Sequence, residues 1–132
     1  MKIILDTSGY AGFKMGNPEI VEFLTRANII LISPIVLGEL MFGFINGDRF
    51  KQNMDELDQF INHEAVEEIQ IGKITADRYS RIAAQLKRQG TPIPANDIWI
   101  AAQAMEYGAE LVTMDRHFEK ISGLVYRYFP LL

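Results

Sequence analysis

The chain contains no cysteine among its 132 residues. This absence excludes disulfide bonds, thiolate zinc sites, iron–sulfur clusters and cysteine nucleophiles, and it fits an intracellular protein. Histidine is scarce as well, because His63 and His117 are the only two, and they lack the spacing of a ligand pair. Any metal ion must therefore be bound by oxygen or histidine, and carboxylate oxygens suit Mg²⁺ or Mn²⁺ better than zinc.

Long hydrophobic runs are also missing. No window approaches the roughly 20 apolar residues of a membrane span. The apolar part of the segment Met1–Asp6 stops far too soon to be a signal peptide. We therefore expect a cytoplasmic protein that does not interact with membranes.

The sequence has no excess of basic charge, since its net charge is −4. Binding of nucleic acid by bulk attraction normally needs a strongly basic face, so this mode is disfavoured. A nuclease is not excluded. Carboxylates gathered around a metal count against the formal charge, and a bound cation reverses the local sign where a phosphate would sit.

The length and composition are those of one ordinary globular domain, which we expect to cover residues 1–132. Apolar runs without period-two alternation predict buried strands, separated by segments of helical periodicity. Gly9, Gly12 and Gly16 predict a loop after the first strand. The predicted strands are 2–5, 29–32, 65–71, 111–113 and 124–128, and the predicted helices are 17–27, 33–45, 48–62, 75–89, 95–107 and a short turn at 116–121. This order predicts an α/β fold, a three-layer α/β/α sandwich around a parallel sheet of about five strands.

Four acidic residues stand where a charge is costly. Asp6 ends the first apolar run and Asp115 closely follows another, while Glu39 and Asp97 fall on the apolar faces of their predicted helices. A buried carboxylate costs several kcal/mol unless it is paired or binds a metal. Sites in such sheets form at the carboxyl ends of the strands. The four acids together predict a site for a hard divalent cation.

Each acid also has a simpler interpretation when taken alone. Asp6 could cap the segment after its strand, and Asp115 could belong to an ordinary turn. Glu39 could reach solvent or pair with an arginine, and Asp97 could cap its helix. One metal site explains all four positions, whereas the simpler interpretations require four separate coincidences.

Two other groups of polar residues accompany the acids. The hydroxyls of Thr7, Ser8 and Thr113 could orient the carboxylates or contact phosphate, although capping of a loop is an alternative, above all for Ser8. A stripe on the predicted helix 75–89 could contact phosphate or could be ordinary solvated surface. Its residues follow spacings of three and four: Arg78, Arg81, Gln85 and Arg88.

The segments that carry the acids, taken in order, resemble those of PIN-domain ribonucleases, and most closely the VapC-type toxins of type II toxin–antitoxin systems. The similarity spans nearly the whole chain. Its segments are Ile4-Leu5-Asp6-Thr7-Ser8, Ser33-Pro34-Ile35-Val36-Leu37-Gly38-Glu39-Leu40, Pro94-Ala95-Asn96-Asp97-Ile98-Trp99-Ile100-Ala101-Ala102 and Leu111-Val112-Thr113-Met114-Asp115-Arg116-His117-Phe118.

The resemblance implies a hydrolase that cuts RNA phosphodiester bonds with Mg²⁺ or Mn²⁺ and leaves 5′-phosphate and 3′-hydroxyl ends. Asp6, Glu39, Asp97 and Asp115 match the family's metal-binding acids, and Thr113 matches its accessory hydroxyl. His117 lies near a variable position of the family and receives no catalytic role. The implied partners are an RNA substrate, a cognate antitoxin that neutralises the toxin, and a second copy in a homodimer, so that a heterotetramer or larger assembly forms.

Two alternatives compete with this interpretation. A phosphotransferase with Asp6 as nucleophile would want a second aspartate at position 8, where this chain has Ser8. A PIN-like module that binds RNA or protein without cutting typically loses one of the four acids, and all four are present here. Catalysis is therefore the favoured prediction.

Overall fold

The sheet has five parallel strands, and the computed structural model describes residues 1–131, so that only Leu132 lies outside the described residues. The spatial order of the strands is β3-β2-β1-β4-β5. In chain order the strands are β1 Lys2–Leu5, β2 Ile29–Ile32, β3 Val66–Glu68, β4 Glu110–Thr113 and β5 Tyr126–Tyr128. The predicted parallel sheet of about five strands is confirmed.

Within residues 1–131, six α-helices and one short 3₁₀ helix connect the strands. They are α1 Thr7–Lys14, α2 Pro18–Thr25, α3 Pro34–Ile45, α4 Phe50–Ile61, α5 Lys73–Gln89, α6 Ala95–Tyr107 and the 3₁₀ helix Arg116–Lys120. In the part of the chain that the structure describes, no helix combines the length and apolar character needed to cross a bilayer.

Both faces of the sheet are covered. In the central strand β1 the consecutive residues Ile3, Ile4 and Leu5 are all 0% exposed. Successive side chains of a strand point to opposite faces, so apolar residues in a row can be buried only if helices pack on both sides. The three-layer sandwich predicted from the sequence is the observed architecture.

Capping residues begin and end several helices where the sequence predicts them. The side chain of Asn17 accepts hydrogen bonds from the backbone at the start of α2, and Ser33 does the same at the start of α3. A proline follows each of them in the first helical turn, where its missing N–H costs nothing. At the other end, Gly90 and Gly108 adopt the left-handed conformation that closes α5 and α6.

The predicted loop after β1 is wrong for most of its length, because residues 7–14, with Gly9 and Gly12, form α1. Asp6 caps this helix by accepting a hydrogen bond from the backbone N–H of Gly9. Glycine usually argues against a helix, but here it removes side chains where α1 meets its neighbours. A Cβ at Gly12 would lie 2.6 Å from atoms of Ile20 and Met114.

Gly9 holds α1 against the end of β4. A Cβ at this position would lie 2.5 Å from the carbonyl oxygen of Val112, an atom of the sheet backbone that cannot rotate away. The close approach also brings the N–H of Gly9 within 2.7 Å of Asp6 Oδ1. The packing of α1 and the orientation of Asp6 therefore depend on the same glycine.

Replacing Gly9 by alanine should lower the free energy of unfolding by about 1–3 kcal/mol, because the added methyl group overpacks a rigid backbone contact. The matched control is Gly38→Ala in α3, where a Cβ meets nothing within 4 Å. That control should raise the stability by about 0.5–1 kcal/mol through the helix propensity of alanine. Urea unfolding of both variants measures the difference, and a Gly9→Ala protein as stable as the wild type would contradict this packing.

Candidate metal centre and active site

The carboxyl edge of the sheet brings together residues from distant parts of the chain. Asp6 directly follows β1, and Asp115 lies two residues beyond the end of β4. Because β1 and β4 are parallel neighbours, their carboxyl ends lie side by side. Glu39 reaches the same edge from α3, which begins immediately after β2, and Asp97 reaches it from the first turn of α6.

Asp6 is buried and held by three hydrogen bonds. Its side chain is only 4% exposed. Oδ1 accepts from Ser8 Oγ at 2.8 Å and from the N–H of Gly9 at 2.7 Å, while Oδ2 accepts from Thr113 Oγ1 at 2.5 Å. Both oxygens are therefore fixed in direction by donors from α1 and β4.

Ser8 and Thr113 form a small hydroxyl network beneath the carboxylates. Their oxygens lie 3.2 Å apart. Ser8 Oγ accepts from the N–H of Met114, and Thr113 Oγ1 accepts from the N–H of Asp115 at 2.9 Å. Each hydroxyl thus connects the Asp6 side chain to the backbone that carries Asp115. These contacts match the carboxylate-orienting interpretation of both hydroxyls.

Glu39 is held by one donor on each oxygen. Thr7 Oγ1 donates to Oε1 at 2.5 Å, and Asn96 Nδ2 donates to Oε2 at 3.2 Å. The arginine partner considered for Glu39 does not occur among residues 1–131. Thr7 lies in α1 and Asn96 in α6, so the glutamate connects α1, which Asp6 caps, to α6, which carries Asp97.

Asp97 and Asp115 meet at His117. The imidazole Nδ1 lies 3.1 Å from Asp97 Oδ2 and 3.2 Å from Asp115 Oδ2. Asp115 also caps the 3₁₀ helix, because its Oδ1 accepts from the backbone N–H of His117 at 2.9 Å. Asp97 makes no cap of this kind in α6. The three side chains offer ligand atoms that all lie within 4.8 Å of one another.

The four acids share one electrostatic neighbourhood. Burial raises the pKa of Asp6 from 3.8 to about 6 against the effect of its three hydrogen bonds, and the charge of Asp97 raises it further. Burial also raises the pKa of Asp97; its hydrogen bond to His117 opposes this, and the charges of Asp115 and Glu39 add to it. Asp97 thus stands at the centre of the repulsion.

This donor set fits a hard divalent cation. Within residues 1–131, none of the four carboxylates forms an ion pair with lysine or arginine. His117 is the single cation-forming side chain at the cluster in that part of the chain. Carboxylate oxygens are the ligands that Mg²⁺ and Mn²⁺ prefer, and a bound cation would relieve the mutual repulsion.

The first residues of the arginine stripe of α5 lie away from the acidic cluster. Arg78 lines a recess at the amino edge of the sheet with Lys2 and Glu110, the opposite edge from the acids. Arg81 is exposed and pairs with Asp77 at 3.0 Å. Arg88 lies exposed in the last turn of α5. Phosphate contact by this stripe stays a prediction.

Sequence reasoning missed two side chains of the cluster. From the sequence, Asn96 receives no site role and His117 no catalytic role. For His117, the available signal was its position two residues after Asp115, the spacing at which a capping aspartate receives the backbone N–H of a short helical turn. For Asn96 no signal existed, because its contact with Glu39 depends on how α3 packs beside α6.

Residues 3–124 match the family described as PIN domain. The chain belongs to the PIN domain family. Among curated relatives of this PIN domain, ribonuclease VapC2 of Rickettsia felis is 33% identical over 106 residues, which are 80% of this chain and 78% of the relative. The tRNA(fMet)-specific endonuclease VapC of Salmonella typhimurium is 30% identical over 127 residues, 94% of this chain and 95% of the relative.

Solved structures give the same result for the fold of this PIN domain. VapBC2 from Rickettsia felis, bound to a DNA fragment from its promoter, contains a chain with a TM-score of 0.84 and 29% identity, covering 98% of this chain and 99% of that one. VapBC-1 from Haemophilus influenzae gives a TM-score of 0.85 at 26% identity, with coverage of 97% and 98%. The fold and the VapC-type resemblance inferred from the sequence are confirmed.

The raised pKa of Asp6 predicts how stability depends on pH in metal-free buffer. Since the folded pKa of about 6 exceeds the ordinary 3.8, this carboxyl contributes stability that is fully present below pH 3.8 and is lost as pH rises through 6. The loss is at most about 3 kcal/mol. Asp6→Asn should therefore be more stable than the wild type at pH 7.5, with a smaller difference at pH 4.5.

Chemical denaturation in EDTA at both pH values measures this effect. The Asp6→Asn protein should keep part of the pH dependence of stability, because the pKa of Asp97 is also raised. Asp58→Asn on the exposed side of α4 is the control and should follow the wild type at both pH values. If Asp6→Asn is the less stable protein at pH 7.5, the Asp6 carboxylate has a structural role that outweighs its repulsion.

Proposed function

We propose that this protein is a divalent-metal-dependent endoribonuclease of the VapC toxin type, which a cognate antitoxin neutralises. The observation that carries the proposal is the convergence of Asp6, Glu39, Asp97 and Asp115 on one edge of the sheet, without lysine or arginine partners among residues 1–131. Membership of the PIN domain family and the two VapC relatives, each named a nuclease, support the same chemistry.

Mg²⁺ is the proposed cofactor, with Mn²⁺ as a substitute. Asp6, Glu39, Asp97 and Asp115 would hold the ion. When bound, a divalent cation supplies positive charge that activates water and stabilises the negative charge developing on the phosphate. Hydrolysis is proposed to leave a 5′-phosphate and a 3′-hydroxyl.

The chain's own residues orient the reacting groups. Thr113, Ser8 and Gly9 fix the direction of both Asp6 oxygens, and a carboxylate oxygen keeps lone pairs beyond those used for these bonds. Thr113 touches Asp6 directly and is therefore a positioning residue in this proposal. Because such donors are set before substrate arrives, little reorganisation is needed during the reaction.

Glu39 and Asp97 differ in their surroundings. Glu39 has no charged neighbour among its hydrogen-bond partners, Thr7 and Asn96. Asp97 lies between the other acids and His117, and its pKa is raised by burial and by the charges of Asp115 and Glu39. We assign both carboxylates the binding of the cation, which would relieve the repulsion around Asp97.

Transfer RNA is the first substrate class to test, because one relative with 95% of its length covered is named a tRNA(fMet)-specific endonuclease. Ribosomal RNA and messenger RNA offer the same phosphodiester bond. Their discrimination depends on surface shape and on how a single-stranded loop can enter the site. Arg88 is the arginine of the α5 stripe proposed to contact phosphate, since Arg78 lies at the opposite edge of the sheet and Arg81 pairs with Asp77.

A protein partner is proposed from two observations. The related structures from Rickettsia felis and Haemophilus influenzae are of VapBC assemblies. The helices α3 and α4 also expose large apolar side chains, with Phe42 68%, Ile45 67% and Phe50 46% exposed. Such residues commonly mark protein interfaces. We propose that an antitoxin and a second copy of the chain cover this region, and that a basic side chain of the antitoxin pairs with the acids.

The decisive experiment is cleavage of total cellular RNA and of purified transfer RNA in Mg²⁺, Mn²⁺ and EDTA. Wild-type protein should produce discrete fragments only with metal, and sequencing of the ends should give 5′-phosphates. Asp97→Asn should cut at least about 100-fold more slowly, since an interaction with the reacting centre is lost. Asp58→Asn, purified in the same way, should cut like the wild type.

Two results would contradict the proposal. Equal cutting by wild type and Asp97→Asn would identify a contaminating ribonuclease. Absence of cutting by wild type on all RNA pools, in either metal, would favour a PIN-like module that binds without hydrolysis.

A further inference from the structure

His117 contacts the acidic cluster through both its backbone and its side chain. Its backbone N–H donates to Asp115 Oδ1 at 2.9 Å, which fixes the start of the 3₁₀ helix. Its side-chain Nδ1 then lies 3.1 Å from Asp97 Oδ2 and 3.2 Å from Asp115 Oδ2. These contacts place Nδ1 of His117 between the carboxylates of Asp97 and Asp115.

Those separations suit ligands of one metal ion. In an octahedral site with bonds of about 2.1 Å, neighbouring ligand atoms lie about 3 Å apart. The distances from Nδ1 to the two carboxylate oxygens have this length. Nδ1 also carries at most one hydrogen, so it cannot donate a full hydrogen bond to both oxygens at once. A cation among the three atoms would satisfy all of them.

A neutral imidazole is a favourable addition to a site of this charge. Asp97 already experiences the repulsion of Asp115 and Glu39. A further carboxylate would increase that repulsion, whereas a neutral nitrogen adds a ligand without adding negative charge. Imidazole also binds transition metals more readily than Mg²⁺, which prefers oxygen.

We propose that His117 is a direct ligand of the metal centre through Nδ1, together with Asp97 and Asp115, and that it biases the centre toward Mn²⁺ over Mg²⁺. This inference rests on the proposed function, because it assumes that the acidic cluster binds a divalent cation. It adds a nitrogen donor to a centre otherwise made of oxygens. The protein should therefore discriminate between the two ions by ligand chemistry.

Pulsed electron paramagnetic resonance of the Mn²⁺-loaded protein tests the ligand directly, because a coordinated imidazole nitrogen couples to the electron spin. The chain has only two histidines, so the signal can be assigned. His63 is exposed beside β3, where its Nδ1 accepts from the N–H of Ala65, and His63→Ala is the matched control. Nitrogen coupling should appear in wild type and His63→Ala and should vanish in His117→Ala.

Calorimetric titration gives the second readout. Loss of a direct ligand should raise the Kd for Mn²⁺ by at least about 10-fold, since loss of a group that only orients a ligand already costs about 10- to 100-fold. The Kd for Mg²⁺ should rise by less. His63→Ala should leave both constants unchanged. Circular dichroism of His117→Ala shows whether its fold is intact. The nitrogen coupling in the electron paramagnetic resonance spectrum of the wild type is a test that needs no variant.

The possible failures are distinguishable. Tight Mn²⁺ binding by wild type without nitrogen coupling would overturn the assignment of His117 and leave the acidic centre standing. A wild-type protein that binds neither Mn²⁺ nor Mg²⁺ would overturn the metal centre of the proposed function as well. Equal losses of Mn²⁺ and Mg²⁺ affinity in His117→Ala would contradict the bias toward Mn²⁺.

Discussion

Repulsion among like charges at the carboxyl edge of the sheet is the constraint on which the rest of the site depends. The fold brings carboxylates from β1, α3, α6 and the end of β4 together, and burial raises the pKa of Asp6 to about 6. Backbone N–H groups and hydroxyls hold these side chains in place. Gly9 contributes to both tasks, since its missing side chain lets α1 approach β4 and its N–H binds Asp6. The cluster therefore stores an electrostatic cost that a bound cation would remove.

That cost connects the proposed activity to its proposed control. An acidic cluster without lysine or arginine partners among residues 1–131 attracts any cation that fits, whether a metal ion or the side chain of another protein. The two would compete for the same carboxylates, so that neutralisation by a partner needs no change in the fold. The exposed apolar residues of α3 and α4 would supply the area that holds the partner in place.

Much of the architecture could be predicted because local signals agree with the fold. Uninterrupted apolar runs indicated the buried strands, and Ser33 with Pro34 indicated the start of α3. The helix α1 was missed because its glycines serve tertiary contacts, Gly9 with Val112 and Gly12 with Ile20 and Met114, which no local pattern reveals. The same limit applies to the site. The four acids could be identified because each stands where the sequence makes a charge costly. The contact of His117 with Asp97 could not, because it depends on how the 3₁₀ helix folds back beside α6.

The most direct test of the central claim is diffraction from crystals of the protein soaked in Mn²⁺, with data collected at the manganese absorption edge. The claim predicts an anomalous peak at the carboxyl edge of the sheet, about 2.1–2.2 Å from oxygens of at least two of Asp6, Glu39, Asp97 and Asp115. No peak there at saturating Mn²⁺, with an open site in the crystal, would contradict it. The four carboxylates would then be a cluster held by hydrogen bonds alone.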